Sequence, residues 1–183
     1  MKGSLITISM ARVIRSPRAR VWRALVSPPE LIRWDTRRTS LDEPAPDYPA
    51  VGHAAHWRIA LGRLTLPLRE EPLEVIPQER LRTAVWLGSF HFDESYGLSD
   101  EPMGTTRLSL SISAKNSMPV LGGELDRFDV RRLATERVGG TLEMLQAWCE
   151  RGPDPPQMCN ASGTQRSGEA KRSRSRGARS IAP

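Results

Sequence analysis

The stretch from Ala11 to Asp35, ARVIRSPRARVWRALVSPPELIRWD, most constrains what this chain can fold into, because it encodes a strand end and two short helices in quick succession. Ser16-Pro17 predicts a helix start: the serine can accept a backbone N–H bond, and the proline presets φ for the first helical position. Val21, Trp22 and Leu25 lie three and four apart and give this helix one apolar stripe. Ser27-Pro28-Pro29 ends it and opens the next, since the residue before a proline is pushed out of the helical region. Leu31, Ile32 and Trp34 complete a brief second helix.

Ahead of this block, Ile6, Ile8 and Met10 alternate with Thr7, Ser9 and Ala11, the period of a half-buried strand. Behind it, Asp42 to Pro49 is a loop, because Pro44, Pro46 and Pro49 exclude helix and central strand alike. A run of strand-like segments follows, spaced as in an antiparallel meander. Val51 to Ala60 places His53, Ala55, Trp57 and Ile59 on one face. Leu64, Leu66 and Leu68 alternate, but Leu73 and Val75 have the opposite parity, which predicts a bulge near Pro72. Leu81 to Phe90 is apolar on both faces, with Ala84, Trp86 and Phe90 opposite Thr83, Val85 and Leu87, so it is expected to be covered twice or to lie at an interface, a dimer's included. Phe92, Glu94, Tyr96 and Leu98 share a face in the next segment. In Thr106 to Ala114 the residues Leu108, Leu110 and Ile112 alternate with Arg107, Ser109, Ser111 and Ser113.

From Leu125 to Cys149 the period changes from two to about 3.6. Leu125, Phe128, Val138, Leu142, Leu145 and Cys149 form a stripe that Arg132 and Thr135 interrupt. A long amphipathic helix docked on a sheet is expected. Gly139-Gly140 inside it costs roughly 1 kcal/mol per glycine relative to alanine. Close approach of a ligand would supply a reason, and a kink or a packing contact is the simpler one.

This order of elements, with the Ser-Pro opening, Val21-Trp22 and Leu25, then Pro29-Glu30-Leu31 and Trp34-Asp35, resembles the START-like (Bet v 1-like, SRPBCC) superfamily, in its polyketide cyclase and Aha1-type branch. The resemblance implies an α+β helix-grip architecture: a curved antiparallel sheet of about six or seven strands wrapped around a long C-terminal helix, with two short helices after the first strand and an apolar cavity between helix and sheet. It covers the chain to about Arg151.

A chain of 183 residues suits one such domain, 1–151, followed by a tail, 152–183. The tail is rich in Pro, Ser, Gly and Arg and holds too little apolar surface to offset its ordering entropy, so it is expected to be disordered. It also holds most of the net charge of +6, with Arg166, Lys171, Arg172, Arg174, Arg176 and Arg179 against Asp154 and Glu169. The basic run 171–176 could neutralise phosphates, but it lacks interleaved aromatics for stacking on bases. RNA or partner binding through the tail is therefore the third choice of function. Cys149 and Cys159 form no C-x-x-C pair, no apolar run approaches the roughly 18 residues of a membrane span, and the N-terminus is weak as a signal peptide. A cytoplasmic setting is the expectation.

His53 and His56 make an H-x-x-H pair, but residues three apart on a strand face opposite ways, so no metal site is expected. His53 shares the face of Trp57 and is a candidate acid/base group, against the simpler reading of a solvated strand-end histidine. If Phe92, Tyr96 and Leu98 face inward, Glu94 does too, in an apolar surround that would raise its pKa; the opposite parity would turn Asp93 and Ser95 inward. Arg132 and Arg12, each in an apolar stripe, could hold a ligand carboxylate or phenolate, or pair locally. Glycine-rich nucleotide loops, the serine-hydrolase elbow and the zincin motif are absent. The leading expectation is a binder of a small hydrophobic molecule, such as a lipid or aromatic polyketide, with no cofactor. Its cavity would be lined by Trp57, Val85, Tyr96, Leu110, Phe128, Arg132, Val138 and Leu142. A cyclase or aromatase using His53, Glu94 and Tyr96 is the alternative.

Overall fold

Alternation makes the first strand, β1 (Leu5–Ile14), bury Ile6, Ile8 and Ile14 on one face and expose Thr7, Ser9 and Ala11 on the other. The structure is a computed structural model that describes residues 5–88, 90–115, 118–120, 123–125 and 127–151; the side chains of 61, 115, 118–120, 123–125 and 127–129 and all of 152–183 lie outside the description. After β1 come two helices, α1 (Arg18–Val26) and α2 (Pro28–Trp34), then the strands β2 (Arg38–Leu41), β3 (Ala55–Leu61), β4 (Leu64–Ile76), β5 (Arg80–Leu87), β6 (Phe90–Glu101) and β7 (Thr105–Lys115). A hairpin of β8 (Met118–Val120) and β9 (Gly123–Leu125) precedes the long helix α3 (Arg127–Glu150).

The seven long strands form one antiparallel sheet in the order β1-β7-β6-β5-β4-β3-β2, and α3 packs against β1 and β7. This is the helix-grip layout, curved sheet around C-terminal helix, with two short helices after the first strand. The register of β4 on β5 shifts between Pro72 and Glu74, where the change of parity predicts a bulge.

Local chemistry moves several boundaries. Helix α1 is capped by Pro17 with no side-chain bond, so Ser16 does not act as the cap; its carbonyl instead accepts the buried hydroxyl of Thr106 at 2.7 Å. Strand β3 begins at Ala55, not at Val51, because Gly52 at φ +81° turns the chain and leaves His53 in that turn. Strand β5 ends at Leu87: Gly88, at φ +59°, reverses the chain, and Phe90 opens β6 on the same face as Phe92. Leu125 belongs to β9, so α3 starts two residues later than its apolar period suggests.

Helix α3 buries Val130, Ala134, Val138, Thr141, Leu142, Leu145 and Cys149. A Cβ added at Gly139 or Gly140 would meet nothing within 4 Å, so neither glycine is there for a close approach. The C-terminal half of the helix is fastened to the first part of the chain. Arg12 of β1 donates to Gln146 at 2.8 Å and Glu143 at 2.9 Å, and the Arg15 backbone N–H donates to Glu150 at 2.9 Å. The Trp148 indole donates at 2.9 Å to Glu30 of α2, whose carboxylate also pairs with Arg20 and Arg23. Burial works to raise the Glu30 carboxyl, but the bonds from Trp148 and Arg20 outweigh it and hold it below the ordinary range.

Candidate functional site

Inward-facing positions of the sheet carry mostly aliphatic side chains, but two of them are acidic. Glu70 follows Leu66 and Leu68 on the inner face of β4, and Glu94 follows Phe92 on that of β6; both are buried. A buried carboxylate needs a partner, since desolvation otherwise costs several kcal/mol. The partners come from two other elements. Arg38, where β2 begins, donates to both oxygens of Glu70 at 3.0 and 2.5 Å and from Nε to Asp35 at 3.2 Å. Arg137 of α3 donates from Nε to Glu94 at 2.5 Å, and the Tyr96 hydroxyl donates to the other oxygen of Glu94 at 2.9 Å.

Arg37 closes the group, donating to Asp35 at 2.7 and 3.2 Å and to the Thr141 hydroxyl of α3 at 2.9 Å. Two aromatic rings support the cations: the Arg38 guanidinium lies 4.6 Å from the Trp57 ring centroid and that of Arg137 lies 5.3 Å from that of Phe92. Burial, then the charge of Glu94, keeps the Tyr96 hydroxyl well above its ordinary pKa, and burial with Glu70 does the same for Tyr48. Burial opposes ionisation of Asp35, yet the Arg37 hydrogen bond and the Arg38 charge hold it below the usual carboxylate range. Among the described residues the Trp57 indole N–H is buried with no hydrogen-bond partner.

Beside this network, between the N-terminal half of α3 and the sheet, lies a cavity of about 290 Å³. Among the described residues its wall is Ile59, Leu87, Phe90, Phe92, Ile112 and Ala114 from the strands, Val130, Leu133, Ala134, Glu136 and Arg137 from α3, and Arg37. The cause is side-chain size. Along β7 the inward series Leu108, Leu110, Ile112 ends in Ala114, and along α3 the series Leu145, Leu142, Val138 tapers to Ala134. Both alanines line the space, one from the strand and one from the helix.

The lining expected from sequence is thus displaced by one side-chain repeat. Trp57, Val85, Leu110, Val138 and Leu142 are fully packed core residues; the wall uses Ile59, Leu87, Ile112 and Ala134 instead, two residues along each strand and one turn along the helix. Tyr96 is buried and bonded to Glu94 rather than lining the space. Phe128 lies in the first turn of α3, and its side chain is outside the described residues. Arg132 is exposed, and the guanidinium that α3 turns inward is that of Arg137. His53 is 58% exposed, 3.6 Å from Asp47, and stands apart from Glu94 and Tyr96. Glu94 and Tyr96 do come together, with an ion pair where an apolar surround is expected.

Sheet order, the two helices after β1 and the single helix in the grip define a helix-grip protein. The fold is START/Bet v 1-like. The chain is similar in structure to a START superfamily protein from Mycobacterium smegmatis (TM-score 0.64, 11% identity, covering 79% of this chain and 97% of that one). It is also similar to Ara h 8.0201 (TM-score 0.62, 9% identity, 80% and 98%) and to a protein from Thermus thermophilus (TM-score 0.62, 23% identity, 78% and 95%). No family model matches the chain, and no curated protein matches its sequence.

Proposed function

We propose that this protein binds a small hydrophobic molecule in the cavity between α3 and the sheet. The observation that carries the reading is the tapered lining: Ala114 and Ala134 leave about 290 Å³ of space walled chiefly by aromatic and aliphatic side chains. A void of about 150 Å³ with apolar walls holds benzene, so this one, about twice as large, has room for two to three aromatic rings. Desolvation of such a guest, at roughly 25 cal/mol per Å² of apolar surface, supplies the affinity.

A cyclase-type reaction driven by Glu94 and Tyr96 is the weaker reading. Glu94 is engaged by Arg137 and Tyr96, Tyr96 is held protonated by burial, and neither residue lines the cavity. RNA or partner binding through the basic tail concerns residues 152–183, which lie outside the description. Among the described residues no helix is long and apolar enough to cross a membrane.

Native mass spectrometry of the freshly purified full chain tests the proposal, together with titration of the neutral fluorophore N-phenyl-1-naphthylamine. Retained guest or saturable fluorescence that disappears in Ala134→Leu, which fills the space, is the expected result. Fluorophore binding that Ala134→Leu leaves intact, or the absence of both a retained guest and fluorophore binding, overturns it.

A further inference from the structure

From the placement of donors and acceptors around the cavity we infer that its guest is an organic acid: a compact apolar body carrying one carboxylate or phenolate that meets Arg137 and Arg37. The inference rests on the cavity being a binding site, as proposed above. Among the described residues three charged ones reach the wall, Arg37, Arg137 and Glu136. A guanidinium only donates hydrogen bonds. The carboxylates that neutralise the two arginines do not reach the wall: the side chains of Asp35 and Glu94 are 2% and 1% exposed, against 24% for Arg37 and 14% for Arg137.

Asp35 also has no acceptor capacity to spare for a guest, and Glu94, at 1% exposure, is out of a guest's reach. Asp35 Oδ1 accepts from the Arg37 backbone N–H and Nε, and Oδ2 from Arg37 Nη2 and Arg38 Nε. Glu94 accepts from Arg137 on one oxygen and from Tyr96 on the other. A guest therefore meets the cations first, with their counter-charges behind them. Glu136, the carboxylate on the wall among the described residues, is exposed to solvent.

Selectivity follows from this order of layers. An acceptor-bearing head can complete the fork of a guanidinium that its neighbours already hold in place, Arg137 over Phe92 and Arg37 on Asp35 and Thr141. An amide or ammonium head would bring N–H groups into a wall of donors and leave them unpaired, which is the strongest form of discrimination a buried polar site offers.

Isothermal titration calorimetry of the full chain with 2-naphthoate, 2-naphthamide and 2-naphthylmethylammonium, three heads on one apolar body, tests this. Naphthoate is expected to bind at least about tenfold tighter than the amide, with the ammonium weakest. The preference should collapse in Arg37→Gln and in the double variant Arg137→Gln/Glu94→Gln, which removes both charges together so that neither is left buried alone. Amide or ammonium binding as tight as naphthoate overturns the inference and leaves the binding proposal standing. A preference that survives in both variants overturns the assignment to these arginines. Absence of binding by all three probes overturns the inference, and with N-phenyl-1-naphthylamine silent and no guest retained it removes the binding proposal as well.

Discussion

Arg137 of α3 and Glu94 of β6, 43 residues apart in sequence, meet at 2.5 Å in the interior of the grip, and each is the other's charge partner. Helix and sheet are thus joined by an ion pair as well as by apolar packing. Breaking a buried pair from one side costs more than the pair contributes, because the survivor stays desolvated. Arg137→Ala, which strands Glu94 at 1% exposure, is expected to destabilise by about 3–5 kcal/mol, and Glu94→Ala by less, because the surviving Arg137 is 14% exposed at the cavity wall. The double variant Glu94→Leu/Arg137→Met should lose far less than the two together. A urea-unfolding cycle reads this, and simple additivity would show that the pair is not coupled.

Arg38 provides the contrast between buried and exposed pairs. It is 6% exposed, holds Glu70 through two bonds and also bonds Asp35, whereas Arg107 pairs with Glu101 at 2.6 Å with half its side chain in water. Lysine cannot reproduce the fork. Arg38→Lys is expected to lower the urea midpoint markedly, and Arg107→Ala to cost at most about 1 kcal/mol.

Asp35 and Glu30 set the acid limit. Their folded pKa values lie below the unfolded ones of about 4, so the stability they supply is whole above that pH and is lost as pH falls through the folded values. Cys149 acts at the other end: burial pushes its thiol up to about 11. Its contribution is intact below the unfolded value of about 8.5 and fades as pH rises toward 11. Urea midpoints between pH 2 and 11 should trace both limbs, with Asp35→Asn flattening the acid one. Cys149 should also resist thiol reagents at pH 8 in the folded protein.

Gly139 and Gly140 offer a stabilising change. With open space around both Cβ positions, Gly139→Ala and Gly140→Ala should each gain up to about 1 kcal/mol, since alanine removes the entropic penalty without a clash. Thermal unfolding checks it; a loss of stability would show that α3 needs the glycines for another reason.

Periodicity made the architecture legible. Leu108, Leu110 and Ile112 in β7 and Phe92, Glu94, Tyr96 and Leu98 in β6 face inward as their alternation dictates. The cavity was harder to place, because alternation says which side chains point inward and nothing about where they stop filling the space. The relevant signal is the fall in size toward Ala114 and Ala134. Arg137 is obscured for a different reason: tracing the helical stripe from Leu125 turns the wheel so that Arg132 and Thr135 interrupt it. The residues Val130, Ala134, Arg137, Thr141 and Leu145, spaced three and four apart, fall on one face, the half-buried arginine among them. The partnership of Arg38 with Glu70 joins residues 32 apart and has no local signature.

The rivets on α3 from Arg12, Arg15 and Glu30 all fall between Glu143 and Glu150, while the helix residues that wall the void, Val130 to Arg137, lie on the turns before them and are tied to the sheet at their C-terminal end by the Arg137–Glu94 pair. Resistance to unravelling is therefore graded along the rod. Amide deuteration should reach Val130 to Ala134 well before Leu142 to Cys149, an order that would let the proposed guest enter at one end while the other stays anchored.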